Sequence, residues 1–310
     1  LTLLGGKRKM KVDSFLEVAA MRLLCILLLL CLSPLAGAAE PLLVPLLVHY
    51  PRVDGDGEQG DYGIALLQLA LAKAGGHYRA EPSPTRMQQN RALVELESAG
   101  GRIDVVGTMT SVERETRLLP VRIPLTRGLI GWRIALLRAD RQDLLQSVRS
   151  LDDLRRYTSG QGQDWPDLQI LRHSGVTVQP AAVYSTLFGM LNAGRIDWAP
   201  RSVNEIWAEA ARRPELAVDP YVVVHYPTAD YFFVNRRNTA LAEELRRGLE
   251  AALADGSFEK LFYAHYGAQI RQARLDKRLL IQLPNPLLTP ETPLQRKELW
   301  FTLDDLKRLP

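Results

Sequence analysis

From Leu42 to Arg117 short apolar runs alternate with amphipathic stretches, and this alternation restricts the fold more than any other feature of the chain. Leu42–His49 has the uninterrupted apolar character of a buried parallel strand, ended by Tyr50-Pro51 and a polar loop, DGDGEQGD. Ile64, Leu67 and Leu71, with Leu66 and Ala70 beside them, make a helical stripe that Gly75-Gly76 closes. A strand is expected around His77–Ala80, then a helix opening at Thr85, running through Met87, Leu93 and Leu96 and stopping at Gly100-Gly101. Ile103–Val106 supplies a third strand. Strand and helix in strict turn give an open α/β sheet, and such sheets place ligands beyond the carboxyl ends of their strands. Tyr50 and Thr108–Arg114 both lie at such ends.

The third strand runs into DVVGTMTSVERETR, Asp104–Arg117. Thr110 and Glu113 stand at capping-box spacing, so Thr110 is expected to cap a helix while Glu113 reaches back to it. The N–H groups of a helix start favour anions, and Arg114, one turn in, offers a planar fork suited to a carboxylate. A capped surface helix with a solvated arginine fits the same residues.

Beyond Arg117 the chain becomes extended and apolar, punctuated by Pro120, Pro124, Gly128 and Gly131, before a second α/β pattern begins. Ser150 and Asp153 cap a short helix. SGQGQDWPD offers Asp164 as a helix cap with Pro166 in the first turn, VTVQP is a strand, and Tyr184, Leu187, Phe188 and Leu191 form a helix stopped by Gly194. Ile196–Ala199 reads as a strand, and Ser202 with Glu205 repeats the capping-box spacing ahead of Ile206 and Trp207. The chain is extended and apolar again over Tyr221–Val234, followed by a helix with Leu241, Leu245, Leu249 and Leu253 in register and another from Phe258. Two apolar crossings therefore bracket a middle unit. The division predicted is a first lobe from residues 39–130 and 228–283, a second from 131–227, and a proline-rich tail, 284–310, wrapped over the surface. The cleft between the lobes is the expected ligand site.

Met21 opens MRLLCILLLLCLSPLAGAAE, in which one arginine, an apolar run and Ala36-Gly37-Ala38 have the layout of a secretory signal peptide, residues 21–38. Residues 1–20 read as an upstream over-extension. The apolar run is short for a membrane span, and Leu30 before Cys31 is not the small residue a lipid-anchored cysteine wants, so a soluble periplasmic protein is expected. Both cysteines, Cys25 and Cys31, would leave with the signal. Residues 1–38 together hold five basic and two acidic residues, whose loss reduces the formal net charge from +4 to +1 and leaves no argument for nucleic acid as a partner. His49, His77, His173, His225 and His265 are scattered, with no pair at metal-ligand spacing. P-loop, nucleophile-elbow and dinucleotide fingerprints are missing from the sequence.

The span from the signal to Gly267 resembles the type-2 periplasmic solute-binding proteins, in the polar-amino-acid branch called family 3. The likeness is carried by DVVGTMTSVER at Asp104–Arg114, by Ile123–Leu125, by LNAGRID at Leu191–Asp197 and by YFFVNRRNTALAEEL with ADGSFEKLF. GQGQDWPD and GRIDWAPRSVNEIW look like features of a divergent subgroup. The resemblance implies a two-lobed α/β fold, each lobe an open mixed sheet flanked by helices, with two crossover segments. It implies that Arg114 holds a ligand carboxylate with Thr110 and Ser111 as turn partners, although the family has threonine where Ser111 stands. It also implies an ammonium-holding aspartate shortly after Asp197, but that position is Ser202, with Arg201 just before it.

The ligand-binding candidates are Tyr50, Thr108, Thr110, Ser111, Arg114, Gly160, Gln161, Arg201 and Ser202, with no catalytic residue, metal or cofactor. Tyr50 is either a stacking platform or a rim aromatic, the Gly160–Trp165 turn either an anion cradle or a plain turn, and Arg201 either a ligand contact or a salt-bridge partner. The function implied is capture of a small carboxylate-containing, amino-acid-like ligand by a monomer serving a membrane permease of the ABC type. The alternatives are a sensor or scaffold for a membrane signalling protein and, more remotely, a dehydratase built on the same fold.

Overall fold

The computed structural model describes residues 45–53 and 57–309. The signal peptide and the over-extension lie outside the described residues.

The first half of the chain builds two small sheets. Strand β1 (Leu46–Val53) leads through helix α1 (Gly57–Lys73) to β2 (Tyr78–Met87), which pairs with it in parallel. Two sequence expectations change here. β1 does not stop at Tyr50-Pro51, because a shift of register between Tyr50 and Arg52 accommodates the proline's missing N–H. The stretch from Thr85 belongs to β2, and helix α2 (Gln89–Glu97) starts only after it. Arg86 and Met87 still pair with Arg52 and Val53, and an edge strand tolerates the donors that Pro82 and Pro84 lack.

Strand β3 (Val105–Met109), helix α3 (Val112–Arg117) and strand β4 (Leu119–Val121) follow. The central partner of β3 and β4 arrives much later: β10 (Asp230–Val234) runs antiparallel to both. All five β10 residues are buried, the charged Asp230 at its head included. Leu93 and Leu96 of α2 pack with Val106, Leu118, Tyr231 and Phe233. Helices α8 (Thr239–Ala254) and α9 (Ser257–Ala273) complete this part. Gly248 of α8 approaches the backbone of α1 so closely that an added Cβ would lie 1.8 Å from the Ala70 carbonyl oxygen.

The middle of the chain forms the second group of sheets. Strand β5 (Trp132–Arg138) lies between β8 (Ala199–Ser202) and β9 (Leu216–His225), antiparallel to each. Helix α4 (Leu151–Leu154) is capped by Ser150, whose side chain accepts the Asp153 N–H. β6 (Ser159–Gly162), α5 (Pro166–His173), β7 (Val178–Ala181), α6 (Tyr184–Asn192) and α7 (Ile206–Ala211) make the rest, with β6 and β7 parallel. The strand expected at Ile196–Ala199 forms three residues later. Trp198 makes only an isolated bridge to Ser159 and is itself buried. Trp165 rather than Asp164 takes the cap position of α5, with Pro166 in the first turn.

The two crossings are Val121 to Trp132 and His225 to Asp230. The chain then makes a further excursion. After α9, strand β11 (Leu279–Gln282) pairs in parallel with β9, so these residues join the second group of sheets although the sequence division puts them in the first lobe. Parallel pairing needs a long crossover, and α9 provides it. The tail then returns: Val112 donates to the Leu287 carbonyl (3.1 Å), Phe301 donates to the Arg127 carbonyl (2.7 Å), and Leu299 and Phe301 are buried. Trp300 packs over Gly128, whose φ of 70° and lack of a Cβ permit the approach. Among the described residues no helix is long and apolar enough to cross a membrane.

Candidate functional site

A cavity of about 600 Å³ lies between the two groups of sheets and takes its walls from both. The first group contributes Tyr50 at the bend of β1, Tyr62 of α1, Thr108 of β3 and Asp230 of β10. The second contributes the turn Gly162–Asp167, Tyr184 at the head of α6, Arg133 of β5, Arg201 of β8, and Asn204, Glu205 and Glu209 leading into α7.

The sequence candidates separate on this frame. Tyr50, Thr108 and Arg201 are on the wall. Arg114 is buried directly behind Thr108: one terminal nitrogen donates to the Thr108 hydroxyl (3.0 Å) and the Met109 carbonyl (2.6 Å). The other donates to Gln89 Oε1 (3.1 Å) and across to the Asp164 carbonyl (3.3 Å). Burial depresses its pKa to about 10, which leaves it a cation at physiological pH. Ser111, not Thr110, caps α3, accepting the Arg114 N–H at 3.2 Å. Thr110 instead donates to Glu115 (2.6 Å), and Glu113 turns outward to pair with Arg117. The start of α3 is therefore one residue later than the sequence spacing indicates.

Gly160 is a packing residue, since an added Cβ would lie 2.3 Å from Ile196. Gln161 is fully buried and neither of its amide atoms has a partner. Neither lines the cavity, although the turn that follows them does. Ser202 donates to the Leu129 carbonyl (3.2 Å) and to Asn204, which ties β8 to the first crossing.

No family model matches the sequence, and no curated protein matches it. Solved structures do match. An ancestral arginine-binding protein bound to arginine aligns at a TM-score of 0.53 and 20% identity, over 72% of this chain and 98% of that one. An amino acid ABC transporter substrate-binding protein from Streptococcus pneumoniae, bound to L-arginine, aligns at 0.53 and 16% identity, over 73% and 96%. An ancestral amino-acid-binding protein described as a precursor of cyclohexadienyl dehydratase aligns at 0.52 and 16%, over 72% and 95%. The fold is that of the amino-acid-binding periplasmic proteins.

On this periplasmic-binding-protein frame the second wall of the cavity is dense with paired charge. Arg201 meets both oxygens of Glu209 through Nε (3.0 and 2.8 Å) and Glu205 through a terminal nitrogen (2.6 Å). Arg133 meets Asp167 at 2.6 Å and Glu205 at 3.6 Å, and the Tyr226 hydroxyl also donates to Asp167. Burial works against ionisation of Arg201, but Glu205 and Glu209 outweigh it and raise its pKa. Glu205, with burial against it and two arginines for it, ends with a raised pKa, whereas the hold of Arg201 on Glu209 lowers that one. Three carboxylates face two guanidinium groups here.

Across the cavity Asp230 accepts the Thr126 N–H (3.1 Å) and hydroxyl (2.8 Å), and burial raises its pKa. Asp230, Glu209, Trp165 and Tyr184 escape a reading based on capping and turns. Glu205 and Glu209, four and eight residues after Arg201, carried a legible signal: helical spacing from one arginine. Asp230 carried none, since it stands at the head of an otherwise apolar strand. Among the described residues no three His, Cys, Asp or Glu side chains are grouped to hold a metal ion.

Proposed function

We propose that the protein is exported and captures a small carboxylate-containing, amino-acid-like ligand in this cavity, for delivery to an ABC-type membrane permease. The observation that carries the reading is the cavity itself: it lies between two α/β sheet groups, and side chains from both close on it, as capture by closure of two lobes requires. A ligand carboxylate would meet the Thr108 hydroxyl and, in exchange for the Asp164 carbonyl, one edge of Arg114. Asp230, with an oxygen beyond those Thr126 uses, faces the same space and suits an ammonium group. The lobes are residues 45–130 with 228–273 and 284–309, and residues 131–227 with 279–282; the leader-like stretch at Met21 supports export.

The amino-acid-bound solved structures support this ligand class. The test is a thermal-shift screen of residues 39–310 against amino acids, dicarboxylates and short peptides, with calorimetry on each hit. A ligand present at one hundred times its Kd adds about 2.7 kcal/mol of stability, and a library without a single stabilising compound would overturn the reading. Two cavity carboxyls with raised pKa, Glu205 and Asp230, together with the likeness to a dehydratase precursor, favour one second reading, elimination of water from a prephenate-like acid. Incubation with prephenate and a watch for product decides it.

A further inference from the structure

Arg201 stands on the second wall of the cavity. The residue is 4% exposed, and its guanidinium carries three hydrogen bonds to Glu209 at 2.7–3.0 Å and an ion pair to Glu205 at 2.6 Å. Its central carbon lies 4.8 Å from the ring centre of Trp165 and 5.9 Å from that of Tyr184. The Tyr184 hydroxyl donates to Glu209 (2.7 Å) and so holds ring and carboxylate in one arrangement. Two carboxylates for the edge and two aromatic rings nearby make a complete set of contacts for a guanidinium. These four side chains come from the turn before α5, the head of α6 and the approach to α7, and all of them line the cavity. Arg133 is held by Asp167 at 2.6 Å and reaches Glu205 only at 3.6 Å, so Glu209 and the two rings are left to Arg201.

We propose that Glu205, Glu209, Trp165 and Tyr184 form a cation cage in which Arg201 is the built-in occupant, and that Arg201 thereby sets specificity by excluding ligands that carry a guanidinium or a long-chain ammonium from this end of the cavity. The inference rests on the cavity being the ligand site. An arginine-like side chain entering here finds every acceptor engaged and both rings covered, and it would have to displace a guanidinium that is already desolvated and fully bonded. A neutral or short ligand group meets no such penalty. Without Arg201 the same wall becomes a receptor for a free guanidinium.

The experiment is Arg201→Ala with methylguanidinium as the probe, read by thermal shift and calorimetry against sodium chloride of equal ionic strength. The variant is expected to melt below the unsubstituted protein and to regain roughly 3–5 °C at ten times the probe's Kd. The unsubstituted protein shows no gain, and L-arginine binds the variant at least tenfold more tightly than it binds the parent. Rescue disappears when Glu209→Gln is added. If methylguanidinium moves both proteins equally, or neither, or still rescues the Glu209→Gln double variant, the cage is not the site and the proposal fails. Should Arg201→Ala not fold, Arg201→Ala with Glu205→Gln removes the surplus carboxylate and keeps Glu209 with both rings. Failure of that protein to fold even with methylguanidinium in the refolding buffer also counts against the cage. The probe needs no natural ligand, so rescue without any library hit would sink the binding-protein reading alone, and a library hit without rescue would sink the cage alone.

Discussion

Asparagine in place of Asp219 stabilises the protein at neutral pH. The Asp219 side chain is fully buried where β9 departs from its pairing with β5; Oδ2 accepts the N–H groups of Val222 (2.7 Å) and Tyr221 (3.0 Å), while Oδ1 has no partner. Burial pushes the carboxyl up from 3.8 to about 6, against the two N–H donors and Arg278 at 3.8 Å. A pKa that is higher folded than unfolded adds stability below the unfolded value, and that stability is lost as pH rises through the folded value. The change is worth about 3 kcal/mol, absent at pH 7 and present at pH 3. Asparagine keeps an oxygen for both N–H groups, fills the unpartnered side with an amide and carries no charge at any pH. It gives up the attraction to Arg278, which leaves a net gain of about 1–2 kcal/mol at pH 7. Urea unfolding of both proteins from pH 4 to pH 8 measures it: the advantage of Asp219→Asn should be smallest at pH 4, grow through pH 6 and then level. A difference that stays constant from pH 4 to pH 7, or an asparagine variant less stable at pH 7, refutes the reasoning.

Three further outcomes are expected. Gly248→Ala forces α8 away from the Ala70 carbonyl and costs about 1–3 kcal/mol, read as a lower urea midpoint with an unchanged slope. Arg114→Lys replaces a planar fork bonded to four oxygens by a point charge with three donors, and at about 1.5–3 kcal/mol for each buried charged hydrogen bond lost it lowers the Tm measurably. Ending the chain after Leu283 removes the buried Leu299 and Phe301; at about 1.5–3 kcal/mol for each side chain the loss reaches roughly 3–6 kcal/mol, and an unchanged Tm would show the tail to be a passenger.

The sequence is most legible where burial follows a simple period. The leucines of α8 and the cap Ser150 are where pattern and chemistry put them. Legibility fails where a local signal has two solutions. Thr110 and Ser111 both stand before α3 with a hydroxyl; the choice falls on Ser111 because Glu115, five residues after Thr110, takes the Thr110 hydroxyl. Thr85 looks like a helix start, but the partners that Arg86 and Met87 find in β1 keep the chain extended, a long-range pairing with no local signal. The site was half visible: Tyr50, Thr108 and Arg201 stand out from strand ends and spacing, whereas Trp165 and Tyr184 approach Arg201 only through the packing of separate elements. In the sequence Arg201 is open between ligand contact and salt-bridge partner until the helix after it is placed. Its two carboxylates then turn it from a free donor into a satisfied one.

The excursion through β11 also fixes a length. Gln282 is hydrogen-bonded into the second group of sheets, and the Leu287 carbonyl is bonded to the first turn of α3 in the first. Asn285, between them, donates to the Pro227 carbonyl in the second crossing. Five residues of fully extended chain reach at most about 18 Å. If the two groups of sheets separate to admit a ligand, as the proposed function requires, this segment limits the separation unless the tail first releases Val112. On that reading the number of residues between Gln282 and Leu287 is itself a limit on the size of ligand the molecule admits.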